Sequence, residues 1–183
     1  MRILGGVLSA VLLACATGAW AQAFPARPVS LVVAFSAGGP TDSIARIVAA
    51  RMTGALGQTV VVENTTGAGG TIGVGRVVKA APDGYLLGIG HIGTHVVNGA
   101  LYQLPYDLLT DLEPVAYIAT NPQILVSKNA IPATNLKEFL AWEKANHLKA
   151  AAGTGGAGTP AHVSAAYFRN LTQTEPQIVH YRG

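Results

Sequence analysis

Three times in this chain a strand-like run ends in a glycine-rich segment that opens directly into a helical pattern: SAGGPTD (36–42), TGAGGT (66–71) and GTGGAGTPAH (153–162). A strand, loop and helix unit that recurs in this way restricts the fold. Only a crossover helix brings the chain back to start the next strand in the same direction, so the pattern predicts an α/β protein with parallel sheets flanked by helices. Glycines let a backbone approach a ligand closely, and the helix start beyond them presents free N–H groups and the positive end of the dipole. Such loops suit anions, and in an open parallel sheet they gather at the carboxyl edge of the strands.

The periodicity supplies the elements. VSLVVAFS (29–36) and TVVVEN (59–64) read as strands around a helix over 41–57, where Ile44, Ile47, Val48, Met52 and Leu56 recur at helical spacing. Thr41 or Ser36 is expected to cap that helix, Asp42 to favour its dipole, and Gly57 to end it in the left-handed region. A second helix is expected over 71–81, a third strand at YLLGIG (85–90), a short helix over 94–102, and further strands at 114–119 and 123–127. A new unit then opens: a helix after Thr134 or Asn135, a small-residue strand at KAAAGT, a helix from Pro160, and a closing strand at QIVHYRG. These boundaries predict a first lobe over 22–122 and, over 123–183, a crossing and the start of a second lobe. At roughly 60 residues that second lobe is small for a self-sufficient domain, so it is expected to be incomplete, with exposed apolar helix faces and unpaired sheet edges.

The chemistry of the loops is narrowed by what they lack. Gly153, Gly155 and Gly158 match the G-x-G-x-x-G spacing of a dinucleotide loop, as do Gly88, Gly90 and Gly93, so the pattern is too common here to decide anything. No GK[ST] follows any loop, and no G-x-S-x-G or H-E-x-x-H occurs. His91 and His95 stand four apart, but Gly93 between them and the want of a nearby third ligand favour loop hydrogen bonding over zinc. For His162, local hydrogen bonding and ligand contact are equally open.

The first 21 residues read as a secretory signal with cleavage after Ala21 in the A-x-A pattern of Ala19 and Ala21. A lipoprotein reading through LLAC and Cys15 is the weaker alternative. Cys15 is the only cysteine, so the mature chain is expected to have neither disulfide nor cysteine-ligated metal. With 11% charged residues, scattered singly, the chain shows no nucleic-acid patch. After residue 21 no apolar run approaches the ~20 residues of a membrane span, and the mature product is expected to be soluble.

Several ordered blocks, AFSAGGPTDSIARIVA, VVVENTTGAGGTIG, AAPDGYLLGIG, GALYQLPYDLLTDLEPVAYIA, GTGGAGTPAHVSAAYF and the final HYRG, together resemble the periplasmic receptors of tripartite tricarboxylate transporters, the Bug receptors. The resemblance spans residues 25–183. It implies a two-lobed, type II-like periplasmic binding protein, a monomer when complete, that closes on a small carboxylate without catalysis, cofactor or metal. Its other partners would be the membrane components of the transporter. The implied ligand-binding residues are Ser36, Ala37, Gly38, Gly39, Thr41 and Asp42 in the first loop, His91 and Thr94 after the third strand, and Gly158, Thr159 and His162 in the second lobe. Asp42 would repel a carboxylate, so capping, water positioning or contact with a ligand amine are its expected roles. Ala37 departs from the Pro-Gly-Gly common in the family, and relatives continue well past YRG. The competing readings are a nucleotide-dependent enzyme using a glycine loop and a remnant that binds nothing.

Overall fold

A computed structural model describes residues 23–120 and 122–181; the expected signal and Cys15 lie outside them. The apolar run after Pro28 forms β1 (Val29–Val33), followed by α1 (Pro40–Leu56), β2 (Val60–Asn64), α2 (Thr71–Val78) and β3 (Leu86–Ile89). All pairings are parallel, in the order β2-β1-β3. The central position of β1 explains its sequence: a strand covered on both faces reads as a continuous apolar run rather than an alternation. Val29, Leu31, Val32 and Val33 are all buried, and each contributes roughly 1.5–3 kcal/mol by leaving water.

With right-handed crossovers, this order places α1 and α2 on opposite faces of the sheet. Side-chain packing agrees. Val29, Leu31 and Val33 share a core with Ala45 and Ala49 of α1, together with Val60 and Ile89. On the other face, Gly73 of α2 is so close to β1 that a β-carbon there would lie 2.9 Å from Ala34 Cα and 2.8 Å from Thr65 O. Helix α1 ends as expected, at Gly57 in the left-handed region (φ 65°), whose N–H donates to Thr53 O. Its start differs from expectation. Gly39, rather than Thr41 or Ser36, occupies the N-cap position, and Asp42 in the first turn accepts from Gly38 N at 2.8 Å.

The helix expected over 94–102 begins as a π-turn, Gly93–Val97, and continues as α3 (Asn98–Leu101). The strands expected at 114–119 and 123–127 are absent. Those residues pair with no strand among the described residues, and Val115, Tyr117, Ile124 and Val126 are each at least 80% exposed. β-propensity needs a neighbouring ladder to become a strand, and none is present here. Helix α4 (Leu136–Ala145) follows, capped by Asn135 Oδ1, which accepts from Glu138 N at 3.0 Å, while Glu138 Oε2 accepts from Thr134 N at 2.8 Å. The last unit is β4 (Ala151–Thr154), α5 (Pro160–Thr172) and β5 (Gln177–His180), with β4 and β5 parallel. Among the described residues no helix is long and apolar enough to cross a membrane.

The same substitution should act in opposite directions at two helical glycines. Gly73→Ala forces α2 off β1 and should cost ~1–3 kcal/mol. Gly54→Ala, in the exposed interior of α1 with nothing within 4 Å, should gain ~0.5–1 kcal/mol from helix propensity. Urea denaturation measures both.

Candidate functional site

In the order β2-β1-β3 the chain leaves β1 for β2 on one side and crosses back past β1 to β3 on the other, and open α/β sheets bind ligands outside the carboxyl ends of the strands where the order reverses. Phe35, just beyond β1, stacks on His91, just beyond β3, with ring centroids 4.7 Å apart. The turn at Ala68–Gly70 joins them: a β-carbon on Gly70 would meet Thr94 Cγ2 at 2.6 Å and Phe35 Cζ at 3.3 Å. Loops after all three strands therefore converge on one edge.

The first loop is shaped by Asp42. Its carboxylate is buried, and Oδ2 accepts from Gly38 N and from Arg46 Nε, both at 2.8 Å. Oδ1 accepts from Asn64 Nδ2 at 2.9 Å, and the same amide donates to Phe35 O. The Arg46 guanidinium, followed by the Gly38 amide and Asn64, holds the Asp42 carboxyl well below the usual carboxylate range. Gly38 is in the left-handed region (φ 82°), which suits glycine. Ser36 O accepts from Gly39 N at 3.4 Å, and Ala37 lies between them in the turn. Beyond Pro40, Thr41 and Asp42 provide first-turn amides that no intrahelical acceptor can satisfy.

The loop after β3 is bonded largely to itself. Thr94, fully buried, accepts at Oγ1 from His91 N at 3.1 Å, and that oxygen lies 2.8 Å from His95 Nδ1. His91 Nδ1 accepts from Gly93 N at 3.0 Å, so the neutral ring carries its proton on Nε2. Burial lowers the pKa of both rings, and for His91 the neighbouring His95 adds to the effect. The two rings are thus engaged in loop hydrogen bonds, and among the described residues no group of three metal-binding side chains occurs.

The loop between β4 and α5 follows similar rules. Thr159 caps α5: its Oγ1 accepts from His162 N at 3.3 Å and donates to Gly156 O at 2.8 Å. His162 Nδ1 in turn accepts from Gly158 N at 3.1 Å. His180 meets the His162 ring edge-on at 4.8 Å, and its Nδ1 is 2.8 Å from Thr154 Oγ1. Burial, with His180 beside it, lowers the His162 pKa.

These loops touch. Ala157 O lies 2.8 Å from where a β-carbon on Gly69 would stand, Gly158 O presses on Gly93, and Gly158 abuts Asn98 Oδ1. The structure therefore brings His91, Thr94, Gly158, Thr159 and His162 to one junction, with Ser36 to Asp42 opening from the adjacent strand end. Phe35, Gly69 and Asn98 belong to the junction too, and sequence reasoning missed them. Gly69 lies in the TGAGGT loop and Phe35 just before SAGGPTD, so both had a usable signal in their context, whereas Asn98 lies outside every block quoted above. A cavity of about 330 Å³ lies elsewhere, at the start of α4, lined by Leu125, Ser127, Ala133 to Leu136 and Phe139. None of the three glycine-rich loops lines it.

Parallel α/β units whose helix-opening loops meet at their carboxyl edges make a framework suited to binding an anion at that junction. The sequence places the chain more finely: residues 44–183 match the model of the tripartite tricarboxylate transporter family receptor, TctC, and the chain belongs to that family. It is 36% identical over 182 residues to a UPF0065 protein of Bordetella pertussis, covering 99% of this chain and 56% of that one. MatC from Rhodopseudomonas palustris with bound malate superposes with a TM-score of 0.81 at 37% identity, over 87% of this chain and 55% of MatC. R. palustris Rpa4515 with adipate gives 0.84 at 35% identity, over 87% and 54%. The chain thus spans about half the length of the relatives it matches.

Two pH windows follow. Asp42 has a lowered folded pKa, so its contribution is full above the ordinary value of 3.8 and is lost as pH falls below it. The melting-temperature difference between wild type and Asp42→Ala should be large at pH 6 and shrink on acidification below about 4. His91 and His95 are also lowered, from 6.5, so wild type should already lose stability as pH falls from about 7 to 5. His91→Gln or His95→Gln should flatten that slope. Thermal denaturation across the pH range checks both.

Proposed function

We propose that this chain forms the first lobe and the opening of the second lobe of an extracytoplasmic receptor. It would capture a small carboxylate between the lobes and present it to the membrane components of a tripartite tricarboxylate transporter. The observation that carries this reading is the meeting of helix-opening glycine loops from both α/β units at one junction, in a family where MatC and Rpa4515 hold malate and adipate. In this reading residues 1–21 export the chain to the periplasm, and a dicarboxylate is the favoured ligand class.

The ligand-binding set keeps its loops but divides by role. The amides of Thr41 and Asp42 are the first-loop donors not committed to α1, and Gly39 leaves room for a carboxylate oxygen beside them. The side chains of Asp42, Thr94 and Thr159 already spend their hydrogen bonds on loop structure, so they shape the site rather than read the ligand. Catalysis finds no support in this arrangement. The Asp42 carboxylate accepts from Gly38, Arg46 and Asn64, and its lowered pKa leaves it too weak a proton acceptor for a general base. A dinucleotide fits less well, because Gly153 lies within β4 rather than at its end and the Ala157 and Gly158 carbonyls are packed against Gly69 and Gly93.

Isothermal calorimetry against malate, adipate, tricarboxylates, aromatic and amino-acid carboxylates and NAD should detect a di- or tricarboxylate and not NAD. Gly39→Val should weaken that binding about tenfold, or ~1.4 kcal/mol, with unchanged helix content. Gly39 has φ −75° and only Ser36 O at 3.4 Å from a β-carbon, so the backbone accepts a side chain there. Absence of binding to every carboxylate by a folded receptor would refute the proposal, and full affinity in Gly39→Val would remove the first loop from the site.

A further inference from the structure

Asn98, the first residue of α3, is fully buried although it is polar. Its Nδ2 donates to Gly69 O at 2.9 Å, across 29 residues of chain. Its Oδ1 has no hydrogen-bond partner among the described residues. That oxygen rests against Gly158, at the place where any side chain on residue 158 would begin. Gly158 returns the contact: its carbonyl presses on Gly93, and the preceding Ala157 carbonyl lies 2.8 Å from the β-carbon position of Gly69. One side chain therefore braces the turn at 68–70 and meets the 155–158 loop of the other α/β unit, through positions where three glycines leave no side chain in the way.

We propose that Asn98 and Gly158 form the contact that registers the two lobes against each other, with Asn98 as a positioning residue for closure of the cleft. The inference rests on the two-lobed receptor reading but not on any ligand. Docking takes Asn98 Oδ1 out of water without giving it a donor, and a buried acceptor left unpaired opposes the docked state. Closure then stays near balance in the empty receptor, and a ligand that bridges both lobes tips it. The glycine at 158 is required twice over, for its φ of +79° and for the space beside Asn98. Gly156 separates the two requirements. It too has a positive φ, +118°, but a β-carbon there would meet only Tyr181 O at 3.7 Å and Thr159 Cγ2 at 3.9 Å.

Hydrogen–deuterium exchange by mass spectrometry on the intact chain without ligand tests the contact. Gly158→Ala should speed exchange several-fold in peptides covering 67–72 and 90–97, in the opposite lobe. Gly156→Ala, which strains its own backbone but meets no atom of the other unit, should act only within 153–162. In the Asn98→Ala background, Gly158→Ala should add much less, because the atom it strikes is gone. Asn98→Gln approaches from the other side and should loosen peptides covering 153–160, which gives an independent reading if Gly158→Ala does not fold. Unchanged exchange in the opposite lobe, equal effects of Gly156→Ala and Gly158→Ala, or additive effects of Asn98→Ala and Gly158→Ala would each overturn the proposal. Failure of the carboxylate reading would appear in calorimetry instead, so the two are separable.

Discussion

The carboxylate of Asp42 is the point to which the first loop is tied. It lies in the first turn of α1 and takes hydrogen bonds from the loop before it, the helix after it and the end of the neighbouring strand. Because Asn64 also holds Phe35 O, the exit of β1, the exit of β2 and the start of α1 become one rigid corner. A helix start capped by a hydroxyl would leave the Gly38 amide to water; this one commits it to a buried anion of the chain itself. The negative charge is offset by Arg46, and the positive end of α1 remains to act on whatever approaches the loop from outside.

The glycines serve a second purpose besides freeing amides. Gly73 admits α2 to β1, and Gly69, Gly93 and Gly158 let backbones from different loops meet without side chains between them. This packing engages part of the segment that carries the nucleotide-like glycine spacing. Anion binding and close loop packing call for the same residue, and at 153–158 packing against the first unit has taken most of it.

Much of the fold was legible because β1, α1 and β2 agree at every level. The apolar run, the helical spacing from Ile44 to Leu56 and the glycine stop at Gly57 all point to one crossover unit. The same consistency exposed the β4-α5-β5 unit, with its helix opening at Pro160. Legibility failed where structure depends on a partner distant in sequence. Residues 114–119 and 123–127 have strand composition but no ladder among the described residues, so propensity alone misled. The start of α1 escapes sequence reasoning because Asp42 finds Gly38 and Asn64, a three-dimensional meeting that no spacing announces. Within the candidate site, the glycine loops were visible from the chain, whereas the roles of Phe35 and Asn98 were not, since an aromatic beyond a strand and a buried amide acquire meaning only from what they touch.

The central claim is that a carboxylate is held by backbone amides at the meeting of these loops, and amide chemical shifts read that directly. In ¹⁵N–¹H correlation spectra recorded during titration with malate or adipate, the account predicts that the saturable shifts concentrate on the amides of residues 37–39, 41–42 and 156–159, with Thr41 and Asp42 among the largest. Shifts confined to the cavity at the start of α4, around Leu125 and Phe139, with the two loops unmoved, would contradict it.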